Sequence, residues 1–149
     1  MKLSEQGLKD LQLSEDCKLK AYQDIKGVWT IGYGQTGKDI VEGLVWTQEQ
    51  ADVARDASVA AREKAVTKAL TRAATQAQFD AMVSLTYNIG LYAFQTSTVL
   101  RQHNAGNFKD AGAAFLMWNK VTINGVLTYS EGLNNRRLRE KALYLSIAA

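Results

Sequence analysis

Proline is absent from this chain of 149 residues, and cysteine and histidine occur once each, as Cys17 and His103. Without proline there is no proline-rich linker between domains, and the length fits one domain or a pair of small lobes in a single fold. A lone cysteine forms no intramolecular disulfide, which points to synthesis in a reducing compartment. Cys17 itself reads as a small buried hydrophobe. One histidine and one cysteine, far apart in sequence, assemble neither a His-based triad nor a zinc cluster, so no metal site is expected. His103 is expected in a surface or capping role. No apolar run reaches the ~18 residues of a membrane span. The start, with Lys2, Glu5, Lys9 and Asp10, lacks the apolar core of a signal peptide. A soluble chain without stable membrane association is the expectation. The net charge of +3 suits an anionic polymer as partner but is too small to choose one.

What the chain has is a change of pattern along its length. Apolar residues make up 46%, enough for a core without metal or disulfide. Ser4 caps a short helix carrying Leu8 and Leu11 and ending near Ser14 or Glu15. From Leu19 to Ile40, aromatic and β-branched residues punctuated by Gly27, Gly32, Gly34 and Gly37 read as short strands and turns. Thr47-Gln48-Glu49-Gln50 and Thr75-Gln76-Ala77-Gln78 are capping-box patterns that open two helices. The first is polar, with a thin stripe through Val59, Val66 and Leu70, as in a helix bridging two lobes. The second, with Phe79, Met82, Val83, Leu85, Tyr87 and Ile89, is apolar on most sides and stops near Gly90. Two shorter helices follow, Val99 to Gly106 and Asn107 to Trp118. Ile123-Asn124-Gly125-Val126 signals a small hairpin. The last helix runs from about Leu133 to Ser146, with Leu138, Ala142, Leu143 and Leu145 facing inward. The fold class is α+β: a β-containing lobe over about 1–46, a bridging helix over about 47–70 and a helical lobe over about 71–149. A cleft between such lobes suits a polymer substrate.

Three constellations compete for a function. Gly32-Tyr33-Gly34-Gln35-Thr36-Gly37 fits the dinucleotide fingerprint G-x-G-x-x-G. The sequence after it is poor helix material, however, and no second strand–helix–strand unit exists. Arg136, Arg137, Arg139 and Lys141 could form a basic face for nucleic acid, but Glu131 and Glu140 dilute it, and a salt-bridging helix face is the better reading. The third is a pair of carboxylates nine residues apart, Glu15 and Asp24, with Thr30 six further on. Glu15 at a helix C-terminus meets the negative end of the dipole, and Asp16 adds like-charge repulsion. Both effects raise a pKa, as a general acid requires. A pair of ordinary surface acids would share this spacing.

Glu15, Asp24, Thr30 and Ile31-Gly32-Tyr33-Gly34 resemble the signature of the phage-type lysozymes, the endolysin family that includes the T4 enzyme. The likeness continues through Leu19-Lys20-Ala21-Tyr22, Gln78 to Leu85, Tyr87-Asn88-Ile89-Gly90, Ser97 to Arg101 and Gly132 to Arg137. It thus spans nearly the whole chain in order. The resemblance implies a muramidase without cofactor that hydrolyses the β-1,4 bond between N-acetylmuramic acid and N-acetylglucosamine in peptidoglycan. It implies Glu15 as general acid, Asp24 as the carboxylate that stabilises developing charge and assists the water, and Thr30 as the residue placing that water. The family inverts the anomeric centre, so the carboxylates are expected roughly 6.5–9.5 Å apart. Tyr87, Asn88 and Ser97 fall at substrate-contact positions. Arg136 or Arg137 pairs with the acid, pulling its pKa down against the other influences.

The same resemblance implies a monomer that accumulates in the host cytoplasm and reaches the wall through a membrane lesion, with no nucleic-acid partner. Two residues depart from the family pattern. Gln35 stands where a histidine is usual, which removes a chargeable partner. Asp16 replaces a glycine, so a left-handed backbone there would be strained. Two alternatives stay open: a lytic transglycosylase, and a cell-wall binding module without catalysis.

Overall fold

A computed structural model describes residues 1–146 as helices around two separate antiparallel hairpins. The last three positions of the expected helical lobe, 147–149, lie outside the described residues. Helix α1 (Glu5–Ser14) starts at Ser4, whose hydroxyl accepts from Gly7 N–H, and ends at an extended Glu15. Strands β1 (Lys18–Gln23) and β2 (Trp29–Gly32) pair antiparallel, with Tyr22 opposite Thr30. Helix α2 (Gln48–Ala69) and helix α3 (Gln76–Ile89) both open with the complete reciprocal capping box that their Thr-x-x-Gln sequences announce. Along α2 only Ala51, Val59 and Val66 are buried, the narrow face of a connecting helix. Gly90, at φ 92°, ends α3 in a conformation that favours glycine.

Helix α4 (Leu91–Gln95) follows directly, then α5 (Thr98–Asn104), α6 (Phe108–Ala114) and a 3₁₀ turn at Phe115–Met117. Helix α4 has no sequence signal, because five residues with no side-chain cap are too short to show a period. Strands β3 (Lys120–Ile123) and β4 (Val126–Tyr129) turn through Asn124 and Gly125, both at positive φ, as the Asn-Gly pair predicts. Helix α7 (Glu131–Leu145) closes the described chain.

The core lies among the helices: Val66, Phe79, Met82, Val83, Leu85, Phe94, Val99 and Phe115 are buried together. The first residues of the chain join this side. Met1 bonds Thr67, Leu3 N–H donates to Glu63, and Asp80 in α3 accepts from both the amide and the hydroxyl of Ser4. A Cβ at Gly7 would stand 2.6 Å from the Asp80 carboxyl carbon, so only glycine lets α1 lie this close to α3. Helix α1 is therefore fixed to α3, although it precedes the β-hairpin in sequence.

Three expectations are corrected here. Leu138, Ala142 and Leu145 of α7 are exposed and Leu143 is half-buried; the buried residues are Arg136, Arg137, Glu140 and Tyr144. The charged side chains turn inward because they neutralise one another there. His103 is fully buried rather than at the surface, with Nδ1 2.6 Å from Tyr144 Oη and Nε2 3.2 Å from the Arg72 carbonyl. Asp16 carries no left-handed strain, since Asn124 is the one non-glycine at positive φ among the described residues. Cys17 is half-buried.

Candidate active site

A cleft of about 460 Å³ runs between the end of α1, the first hairpin and α7. Glu15, Tyr22 and Gly34 line one side, and Asn88, Leu133 and Arg136 the other. Glu15 enters it because α1 stops at Ser14 and the chain turns extended, which leaves the carboxyl at the helix end with 18% exposure. Arg136 Nη1 reaches Glu15 Oε1 at 2.5 Å. Burial pushes the Glu15 carboxyl above its ordinary value; Arg136 opposes this, and Glu140 reinforces it. Burial, rather than the helix end or Asp16, prevails over the arginine.

Asp24 sits on the turn between β1 and β2, held by the backbone of Val28 and Lys26. Its Oδ1 accepts from Lys26 N–H at 2.8 Å and Val28 N–H at 2.9 Å. Val28 C=O accepts in return from Asp24 N–H and from Thr30 Oγ1, each at 2.9 Å. One residue's peptide groups therefore tie Asp24 to Thr30. Asp24 Oδ2 has no partner among the described residues, and Thr30, its proton committed to Val28, offers its oxygen as an acceptor. Tyr22 joins the two sides of the site: burial raises its phenol, as do the charges of Asp24, Glu15 and Asp16.

The other expected residues divide. Asn88 is exposed in the cleft with an amide unbonded among the described residues. Tyr87 lies behind the wall, where its hydroxyl donates to the Tyr33 carbonyl at 2.9 Å and accepts from Gln35 Nε2 at 2.9 Å. Ser97 is buried as the cap of α5, its hydroxyl committed to Leu100 N–H and Phe94 C=O. Arg137, fully buried, faces Glu140 instead of Glu15.

Gln35 does more than its departure from the family pattern suggests. Its Oε1 also accepts from Tyr33 N–H, so it pins the turn after β2 to α3. Ile31 and Gln35 exchange backbone hydrogen bonds, closing the glycine-rich segment into a turn with no helix for a dinucleotide. Glu140 and Ser84 carry no sequence signal: Glu140 reads as an ordinary i,i+3 surface partner, and Ser84 as a minor member of α3. No group of three or more metal-ligating side chains is found among the described residues.

The phage lysozyme family model matches residues 12–140, which include Glu15, Asp24, Thr30 and the whole α7 network. The chain belongs to the phage lysozyme family. This lysozyme is 42% identical over 146 residues to an endolysin of Acyrthosiphon pisum secondary endosymbiont phage 1, covering 98% of this chain and 99% of that one. It is similar in structure to an endolysin from Escherichia coli O157:H7 phage FAHEc1, with TM-score 0.87 and 44% identity over 97% of this chain and 94% of that one. A muramidase domain of SpmX from Asticaccaulis excentricus gives TM-score 0.87 and 36% identity over 98% and 99%. Membership makes the protein a glycoside hydrolase of the lysozyme type, with peptidoglycan as substrate class. No helix among the described residues is long and apolar enough to cross a membrane.

Proposed function

We propose that this lysozyme is an endolysin muramidase that cleaves the β-1,4 bond from N-acetylmuramic acid to N-acetylglucosamine with inversion. The observation that carries the reading is the contrast between the two carboxyls of the site. Glu15 is walled in and burial raises its carboxyl above the ordinary value, whereas Asp24 is fixed by backbone amides with one oxygen left open. Glu15 donates its proton to the leaving glycosidic oxygen as the bond breaks. A water gives a proton toward Asp24 Oδ2, donates its other hydrogen to Thr30 Oγ1, and attacks the anomeric carbon from the opposite face. The Asp24 charge also favours the oxocarbenium-like transition state. Asn88 is a sugar-amide contact in this scheme. The enzyme works as a monomer on glycan strands and reaches them from the host cytoplasm once the membrane is breached, a reading supported by its endolysin relatives.

Clearing of a peptidoglycan suspension tests the proposal. Glu15→Gln is expected to lower the rate at least ~10²-fold without unfolding the protein. Equal clearing by the variant would sink Glu15 as the acid. Products ending in free reducing N-acetylmuramic acid are expected; 1,6-anhydro ends would make the enzyme a transglycosylase. A folded wild type that binds the wall and clears nothing would leave only a binding module.

A further inference from the structure

Behind Glu15 lies a cluster of charges that reaches the cleft only through Arg136. Glu140 and Arg137 are buried to 4% and 0% exposure, and Arg136 to 6%. Arg136 divides its guanidinium in three directions: Nη1 to Glu15 Oε1 at 2.5 Å, Nη2 to the Ser84 carbonyl at 3.2 Å, and Nε to Glu140 Oε2 at 3.4 Å. Glu140 Oε2 also accepts from Ser84 Oγ at 2.5 Å, and its Oε1 lies 2.7 Å from Arg137 Nε, an ion pair whose angle falls short of an aligned hydrogen bond. Two carboxylates thus share two guanidinium groups, and Arg136 and Glu140 lie one helical turn apart on α7.

We propose that Glu140 is a positioning residue for the acid: by sharing the Arg136 guanidinium with Glu15, its buried carboxylate sets how tightly that guanidinium holds the Glu15 carboxyl. The inference rests on Glu15 being the acid. Arg136, aimed at Glu15, pulls its carboxyl down against the burial that raises it. Glu140 draws on the same cation from its opposite edge and places a second negative charge near Glu15, and both effects act against the pull of Arg136. Arg137 makes this arrangement tolerable by neutralising Glu140 at 4% exposure.

Other groups face the pair without taking over this role. Toward the cleft are Asp16 and Tyr22, and behind its wall Tyr87 feels the charge of Glu15; none is bonded to Arg136. On the far side Glu140, Arg136 and Ser84 border a cavity of about 360 Å³ that Asp10, Asp80 and Arg139 also line. Asp80 is already committed to Ser4 and Gln76. Arg139 has no ion-pair partner among the described residues.

The test is the pH profile of kcat/KM on peptidoglycan, whose alkaline limb reports loss of the Glu15 proton. In Glu140→Gln, Arg136 acts on Glu15 undivided. The limb is expected to move toward acid by about one pH unit, costing about tenfold at a fixed pH on that limb, while the acid plateau stays at the wild-type level. Glu140→Asp keeps the charge and is expected to restore the wild-type limb. A fall of equal size at every pH, or an unmoved limb, overturns the proposal and leaves Glu140 a structural residue.

Should Glu140→Gln fail to fold, Ser84→Ala serves instead. Without the serine proton, Glu140 binds Arg136 more strongly, and the limb is expected to move toward alkali; no movement is equally fatal. Glu15→Gln is run alongside. If it clears the wall like wild type, the acid assignment fails. If it is inactive and the Glu140→Gln limb has not moved, only the role of Glu140 fails.

Discussion

Helices α3 and α7 pack against each other, yet they bury opposite kinds of side chain. Helix α3 turns Phe79, Ala81, Met82, Val83 and Leu85 into the core, all at 0% exposure. Helix α7 turns in Arg136, Arg137 and Glu140, with Tyr144 as its one buried aromatic. The apolar face of α3 holds the lobe together through non-directional burial, for which shape and volume suffice. The face of α7 is directional: each group is stable in the interior only because a specific partner is in place. Such a face is a poor way to stabilise a core, and a good way to aim one guanidinium at one carboxyl.

The comparison breaks most visibly in the cores of the two helices. Arg137→Met removes the shorter of the two ion pairs of the buried Glu140 and is expected to lower stability by about 3–5 kcal/mol, similar to the ~3–5 kcal/mol expected for Phe79→Ala. Adding Glu140→Leu to Arg137→Met should return most of that loss in urea unfolding, because a buried pair can be replaced by apolar groups. No neighbouring change refills a missing phenyl ring so simply. If the double variant is as unstable as the single, the network is structurally essential and the contrast with α3 collapses.

A smaller effect tests the far end of α7. Burial pulls the His103 imidazole below its ordinary value of 6.5. Its contribution is therefore complete above the unfolded value and is lost as pH falls below it, since the unfolded chain takes up a proton that the fold resists. Thermal unfolding from pH 7 to pH 5 should show this decline, and His103→Gln should flatten it. The smallest effect sits at the helix starts. Thr75→Ala removes half of a capping box on α3 and should cost about 1 kcal/mol in urea unfolding. Ser130→Ala, which removes a single bond to Leu133 N–H, is expected to cost no more.

The contrast also explains which features are legible in the sequence. The capping boxes, the apolar run of α3, the Asn-Gly hairpin and the Glu15–Asp24–Thr30 turn are local signals, contained within short stretches. The inward face of α7 escapes because periodicity reasoning looks for leucines, and Leu138, Ala142 and Leu145 supply a false stripe. Arg136 and Glu140 pair with groups more than fifty positions away, Glu15 and Ser84, and no local pattern encodes that. His103 escapes for the same reason: its partners Tyr144 and Arg72 are distant in the chain. The effect of Gln35 is legible as a loss of charge, but its link to Tyr87 is not.

The close approach of Gly7 to Asp80 has a mechanical consequence. Because α1 is fastened to α3 at its start and to Arg136 at its end, Glu15 is tied to α3 and α7. Asp24 and Thr30 travel with the first hairpin. In the proposed mechanism, a breathing of the cleft alters the gap that a sugar ring and its attacking water must fit, while Glu15 keeps Arg136. On that proposal the variable dimension is the reach from Glu15 to Asp24 and Thr30, and the fixed one is the contact of Glu15 with Arg136.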